Sequence, residues 1–328
     1  MGIPFEKREG RGRRRIVALR RGPKDFRLPE NGRLILSSDS FVEGVHFDLT
    51  YTTPRELGHK CLAVVLSDLA AVAARPLWAQ LAVGMRQETG EPFLLEWRTG
   101  VDALARQFRL GIGVGHPFPS PTALIVNVLV AGALDRHHVA FPGARPGDRV
   151  AVTGTLGAGG AGMNCLRRLG KHALTDEPDI FGPYLTPQPR VREALALAKT
   201  GAITSMTDLS EGLAAEIRDL AHQNGLGALI DESKIPIAES TRRAERLITS
   251  NARAWSLYGA EDFQLLFTFA PGAEKKISRA VGRNAPVTVI GEMAREANGV
   301  QLMDIEGQQV PLAPRIWHHF VRRRKAAR

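Results

Sequence analysis

From Arg33 onward, apolar and polar positions fall into recognisable periods. Leu34-Ile35-Leu36 is a short apolar run, read as a strand, that ends in the polar cluster Ser37-Ser38-Asp39-Ser40. Thr53, Pro54 and Glu56 have the chemistry of a helix N-cap, a first-turn proline and an acidic first turn. Leu57, Cys61, Val64, Val65, Leu69 and Val72 then recur at helical spacing through Ala74, with Pro76 as the stop. Trp78 to Met85 alternates with period two, Leu94 to Phe108 suits a second helix, and Thr122 to Leu134 is a β-branched strand.

The turn-rich stretch Phe141-Pro142-Gly143-Ala144-Arg145-Pro146-Gly147-Asp148 suggests a domain boundary. Beyond it, Arg149–Thr153, Ala228–Asp231, Phe263–Phe269 and Val287–Ile290 are expected strands. Residues 160–169, Arg190–Lys199 and Leu213–Gln223 are expected helices. Strands interleaved with helices in both halves predict an α/β (α+β) chain. Its expected organisation is a basic irregular segment over 1–32, an N-terminal domain over 33–140 and a C-terminal α/β domain over 141–328.

Charge changes this picture little. The chain of 328 residues carries a formal charge of +10, yet residues 1–33 alone contribute +7 and residues 321–328 another +5. What lies between is slightly acidic. Neither end interleaves aromatics with its charges as a single-strand binder does, so solvated tails are expected and nucleic acid is not. No apolar run reaches membrane-spanning length, and the Arg-rich start has no apolar h-region after it. Two cysteines, Cys61 and Cys165, make no disulfide framework, which suits a reducing cytoplasm.

Several residues could carry chemistry. Mg2+ takes oxygen ligands, usually one or two carboxylates plus substrate phosphates, and Asp39, Asp68, Asp208 and Glu211 suit that role. Asp208, Ser210 and Glu211 equally suit the cap of the helix that follows them. His46 has a bland reading as a packed or surface histidine, and Glu261 with Asp262 as a solvated turn. Trp317 and Phe320 could simply anchor the C-terminus. The glycine-rich loop 154–162 could bring backbone N–H groups to a phosphate. It lacks the Gly-Lys-Ser/Thr of a Walker loop, and glycine packing explains it as well.

The order and wording of five motifs are more specific. These are Val42-Glu43-Gly44-Val45-His46-Phe47, Ser67-Asp68-Leu69-Ala70-Ala71, Gly147-Asp148-x-Val150-x-Val152-Thr153-Gly154, Asp208-Leu209-Ser210-Glu211-Gly212-Leu213 and Gly259-Ala260-Glu261-Asp262-Phe263. Together they resemble the thiamine-monophosphate kinase family, from about Arg33 to Phe320. The resemblance implies a two-domain aminoimidazole ribonucleotide synthetase-like fold and a homodimer packed through its N-terminal domains. It implies direct transfer of the γ-phosphoryl of ATP to thiamine monophosphate, assisted by Mg2+. Carried over by motif, Ser37, Ser38, Asp39, Asp68, Asp208 and Glu211 would surround the metals, with Asp39, Asp68 and Asp208 catalytic. Gly115 and Ser210 would meet ATP. His46, Glu261 and Trp317 would meet the substrate, the tryptophan offering a flat face to a cationic thiazolium. The hydrogenase-maturation and selenophosphate-synthetase relatives each need a cysteine at a place where this chain has none.

Two family motifs are altered. Gly12-Arg13-Arg14-Arg15-Ile16 stands where the family has Gly-Asp-Asp-Ala, and Val114-Gly115-His116-Pro117 where it has Gly-Gly-Asp-Thr. A basic residue expected near Phe141 is missing, and Glu211 replaces an aspartate. Arginine and histidine in place of metal carboxylates reverse the local field. One account is out-of-frame translation, since suitable codons for both segments regain the lost acids when read one base later. The other is divergence to a catalytically impaired, kinase-like protein that binds nucleotide or thiamine phosphate without turnover.

Overall fold

The computed structural model describes residues 15–17, 25–27, 33–134, 139, 142–282 and 285–313. Two short strands, β1 (Arg15–Val17) and β2 (Asp25–Arg27), pair antiparallel inside the segment expected to be irregular. Their Arg-rich sequence carries no period-two alternation to announce them.

The first large sheet is built from β3 (Arg33–Val42), β4 (Arg75–Met85), β5 (Gly111–Val114), β6 (Phe118–Pro119) and β7 (Ile125–Leu134). Its spatial order is β3-β7-β4-β5, with β6 alongside β4. β3 is longer than its apolar run because the polar residues Ser37 to Ser40 stay paired, in unbroken register with β7. Helices α1 (Pro54–Ala71) and α2 (Gly90–Phe108) pack together in this half. Thr53 and Glu56 form a reciprocal capping box at the start of α1, as the sequence predicts. The helix ends three residues early, at Ala71. Ala73 then takes a left-handed φ of 52°, and Pro76 lies within β4, so the proline is not what stops the helix.

The second half holds α3 (Ala158–Leu169), α4 (Pro178–Leu185), α5 (Val191–Lys199), α6 (Leu213–Gln223), α7 (Glu239–Ile248), α8 (Ala252–Tyr258) and α9 (Glu274–Val281). Its seven strands are β8 (Arg149–Thr153), β9 (Ile203–Asp208), β10 (Leu226–Asp231), β11 (Leu265–Phe269), β12 (Val287–Arg295), β13 (Val300–Met303) and β14 (Gln309–Pro311). They run β14-β13-β10-β12-β8-β11-β9, all neighbours antiparallel except β10 with β13. β11 begins at Leu265 rather than Phe263, because Phe263 has φ 49° and cannot continue a strand.

What positions the site is α1. Leu57, Cys61, Leu62, Val65, Leu66 and Leu69 are fully buried, but so are Lys60 and Ser67 on the same helix. One face of α1 meets the first sheet, and another meets β9 and α5 of the second half. Both sheets therefore share a core that includes Leu66, Val128, Met206 and Phe267. Both cysteines are buried thiols.

Candidate active site

A cavity of about 750 Å3 opens between the two halves. β3 contributes Asp39, α1 contributes Lys60 and Asp68, and the loops after β9 and before β11 contribute Glu211 and Glu261. The sequence places Asp68, Glu211 and Glu261 in its motifs and Asp39 at the end of an apolar strand, and it singles out Lys60 in neither way.

Two serine–aspartate pairs fix the acidic end. Ser37 on β3 donates to Oδ2 of Asp68 on α1. Ser67, the next residue back on α1, donates to Oδ2 of Asp208 at 2.6 Å. Ser37 and Asp39 are two apart on a strand and so share the face that meets α1, while Ser38 lies on the opposite face. Burial raises the Asp68 carboxyl above the ordinary carboxylate range; the Ser37 hydrogen bond opposes this, and the nearby Asp39 charge adds to it. Asp208 is 6% exposed, and burial pushes it up to about 7 against the Ser67 bond, with Asp68 adding to the rise.

The helix-cap reading of the Asp208-Leu209-Ser210-Glu211 segment does not hold. The N-cap of α6 is Gly212, and no side chain caps it. Glu216, inside the helix, instead reaches back to accept from Ser210 Oγ at 3.1 Å and from the Glu211 amide at 3.2 Å. Ser210 and the exposed Glu211 both line the cavity.

The glycine-rich loop already has an anion. The Asp262 carboxylate accepts from the amides of Gly157 at 2.6 Å and Gly159 at 2.9 Å, at the start of α3. Burial pushes Asp262 up to about 7, although these amides and that of Ala158 favour its charged form. A side chain at Gly159 would collide with the carbonyl of Glu261. The glycines thus let α3 dock on the 259–263 turn, which is the packing alternative.

That turn is tightly held. Glu261 has φ 67°, and its amide donates to Ser210 O at 2.8 Å, while the Phe263 amide donates to Leu209 O at 2.9 Å. Oε2 of Glu261 is buried and lies 2.5 Å from Nζ of Lys60, out of line for a hydrogen bond but a close ion pair. Lys60 is 3% exposed, with Nζ 3.2 Å from the centre of the Tyr184 ring. Tyr184 in turn meets the Tyr51 hydroxyl, which Arg167 approaches from the end of α3. Burial raises both tyrosines above their ordinary value. One signal could have found Lys60: it is a lysine set between the apolar positions Leu57, Cys61 and Val64 of α1.

His46 also lines the cavity. Its Nδ1 accepts from the Val42 amide at 3.0 Å, which places the proton of the neutral ring on Nε2, and its ring meets Phe41 edge-on. Gly115 lies apart from the cavity lining, its amide bonded to Leu81 O at 2.8 Å. His116 is exposed in the turn between β5 and β6. Trp317, Phe320 and Arg13-Arg14 lie outside the described residues.

The donor set suits Mg2+. Asp39, Asp68 and Glu211 offer hard oxygens to one cavity, and the mutual repulsion of Asp39 with Asp68 is the kind a cation relieves. Among the described residues no three acids or histidines close into a cage. A Mg2+ here would therefore draw ligands from substrate phosphates and water.

Comparison with known proteins gives a consistent picture. Family models of AIR synthase related proteins match residues 22–134 (N-terminal domain) and 145–302 (C-terminal domain). The thiamine-monophosphate kinase of Salmonella typhimurium is 32% identical over 299 residues, spanning 89% of this chain and 88% of that one. The crystal structure of the thiamine-monophosphate kinase from Stenotrophomonas maltophilia K279a is similar with a TM-score of 0.77 and 27% identity, over 90% of this chain and 92% of that chain. The structure of AaThiL complexed with AMPPCP and TMP is similar with a TM-score of 0.74 and 27% identity, over 88% of each chain. The two sheets with their helices are the two-domain AIR-synthase-like arrangement expected from the motifs.

Proposed function

The chain belongs to the thiamine-monophosphate kinase family, and on that premise we propose that it transfers the γ-phosphoryl group of ATP directly to thiamine monophosphate, giving the diphosphate. The observation that carries this reading is the convergence of Asp39, Asp68, Ser210, Glu211, His46 and Glu261 on one cavity from five separate stretches of sequence. Phosphoryl transfer asks a protein mainly for positioning and charge neutralisation, and this cavity offers both.

Asp39, Asp68, Asp208 and Glu211, with Ser37, would hold Mg2+, whereas Ser38, on the opposite face of β3, turns its hydroxyl away from them. The ion, when bound, neutralises charge on the phosphates and on the group in flight. Ser67 and Ser37 orient two of those carboxylates by donating to them. Ser210 would meet ATP at the cavity; Gly115, just after β5 and apart from that lining, would meet it only where the nucleotide extends beyond the cavity. His46 would meet the thiamine phosphate, its ring held in place by the bond from the Val42 amide to Nδ1. Glu261 and Trp317 would complete that end. A homodimer through the first sheet is supported by the outward face of β3, where Leu36 is 58% exposed. No described helix is long and apolar enough to cross a membrane, and cytoplasmic action accords with the two thiols.

The test is release of ADP and thiamine diphosphate in equal amounts from ATP and thiamine monophosphate, abolished by a chelator and restored by Mg2+. Nucleotide binding without product would instead support the impaired, binding-only protein, with His116 at the altered motif. Sedimentation equilibrium would test the dimer.

A further inference from the structure

The ion pair between buried Lys60 and the buried Oε2 of half-buried Glu261, at the cavity wall, has no evident structural need. Replacing such a pair with apolar side chains is commonly neutral or stabilising, whereas leaving one partner alone is costly. Lys60 is nevertheless aimed, from among the buried Leu57, Cys61 and Leu62 of α1, at one particular oxygen of Glu261. That oxygen, Oε2, is sealed from solvent, while the Glu261 side chain as a whole keeps 29% of its surface exposed and lines the cavity. The backbone beneath it is held in a left-handed conformation that residues other than glycine seldom adopt, a cost that sites bear where geometry matters. The Tyr184 ring under Nζ leaves the ammonium little room to turn elsewhere.

We infer that Lys60 is a positioning residue for substrate: it occupies Oε2 of Glu261 and so presents the other carboxylate oxygen to the cationic end of the acceptor. This rests on the kinase reading above. Lys60 itself would not touch substrate. Its effect would fall on acceptor binding, with nucleotide binding and the chemical step left alone.

The experiment is steady-state kinetics on the full chain, varying thiamine monophosphate and ATP in turn, for K60M, K60R, E261Q and K60M/E261Q. Positioning predicts that K60M raises KM for thiamine monophosphate about tenfold or more, with kcat and the KM for ATP within about twofold. K60R should recover most of the loss, because it can still occupy Oε2. The double variant should be no worse than E261Q, because Lys60 acts only through that carboxylate. An unchanged KM in K60M overturns the inference. So do losses that multiply in the double variant, which would put Lys60 on the substrate itself. If K60M does not fold, K60R and K60M/E261Q carry the comparison, since neither leaves a buried charge alone. A wild-type chain that neither turns over nor binds thiamine monophosphate by calorimetry sinks the kinase reading along with this one. An active wild type with an insensitive K60M sinks this inference alone.

Discussion

The Ser67 hydroxyl donates to the Asp208 carboxylate at 2.6 Å, joining the central helix of the first half to the last residue of an edge strand of the second. Both residues are buried. Removing the hydroxyl leaves a buried carboxylate short of its side-chain donor. S67A is therefore expected to lose about 1–3 kcal/mol of stability, read from the urea midpoint. Because the same bond aims Asp208, turnover should fall as well, and S67T should recover part of both.

How much of this was legible depended on how each element buries its residues. α6 and β8 were visible to the residue, because Leu213, Ala214, Ile217 and Leu220 sit at clean helical spacing and Val150 to Val152 form a solid apolar run. β9 was missed. Its sequence Ile-Thr-Ser-Met-Thr-Asp is an edge strand with only Ser205, Met206 and Asp208 buried. α7 escaped because just Thr241, Ala244 and Ile248 face inward from an Arg- and Glu-rich run. Motif wording flagged Asp68, Glu211 and Glu261, and its place at the end of an apolar strand flagged Asp39, but spacing alone could not say that they meet. The Lys60–Glu261 pair was out of reach, since its partners are brought together only when α1 is clamped between the two sheets.

Asp208 and Asp262 each have a folded-state pKa of about 7, against an ordinary 3.8. A raised carboxyl binds its proton more tightly in the folded chain, so the stability it contributes is present below about pH 4 and is lost as pH rises through 7. Urea unfolding without divalent cations should show this fall between pH 4 and 7. D208N, which stays neutral, should flatten it by roughly 4 kcal/mol across the window. D262N isolates the second contribution. A wild-type slope unchanged in D208N would mean that Asp208 titrates in the ordinary carboxylate range.

The Asp262 carboxylate serves two amides at the start of α3. D262A should orphan both, costing about 1–3 kcal/mol for each amide that water cannot reach. G159A acts on the same joint from the other side, because its methyl would strike the Glu261 carbonyl. Overpacking of this kind costs about 1–3 kcal/mol. It should also displace Glu261, raising KM for the acceptor more than KM for ATP.

Asp68 and Asp39 give the sharpest separation of a functional role from a structural one. Their charges raise the cost of ionising Asp68, which burial already disfavours. A residue kept for stability would not be placed so. D68N removes the repulsion and keeps an oxygen to accept from Ser37. In the absence of Mg2+ it should leave stability unchanged or improve it by up to about 1 kcal/mol, judged by thermal melting. Turnover should fall by about a hundredfold or more, because charge stabilisation at the transferring phosphate depends on that carboxylate. Mg2+ should raise the melting temperature of the wild type and not that of D68N, the pattern of a cation that binds only the folded site. If D68N instead loses stability and activity together, and Mg2+ protects both proteins equally, Asp68 belongs to the scaffold, and the metal lies elsewhere in the cavity.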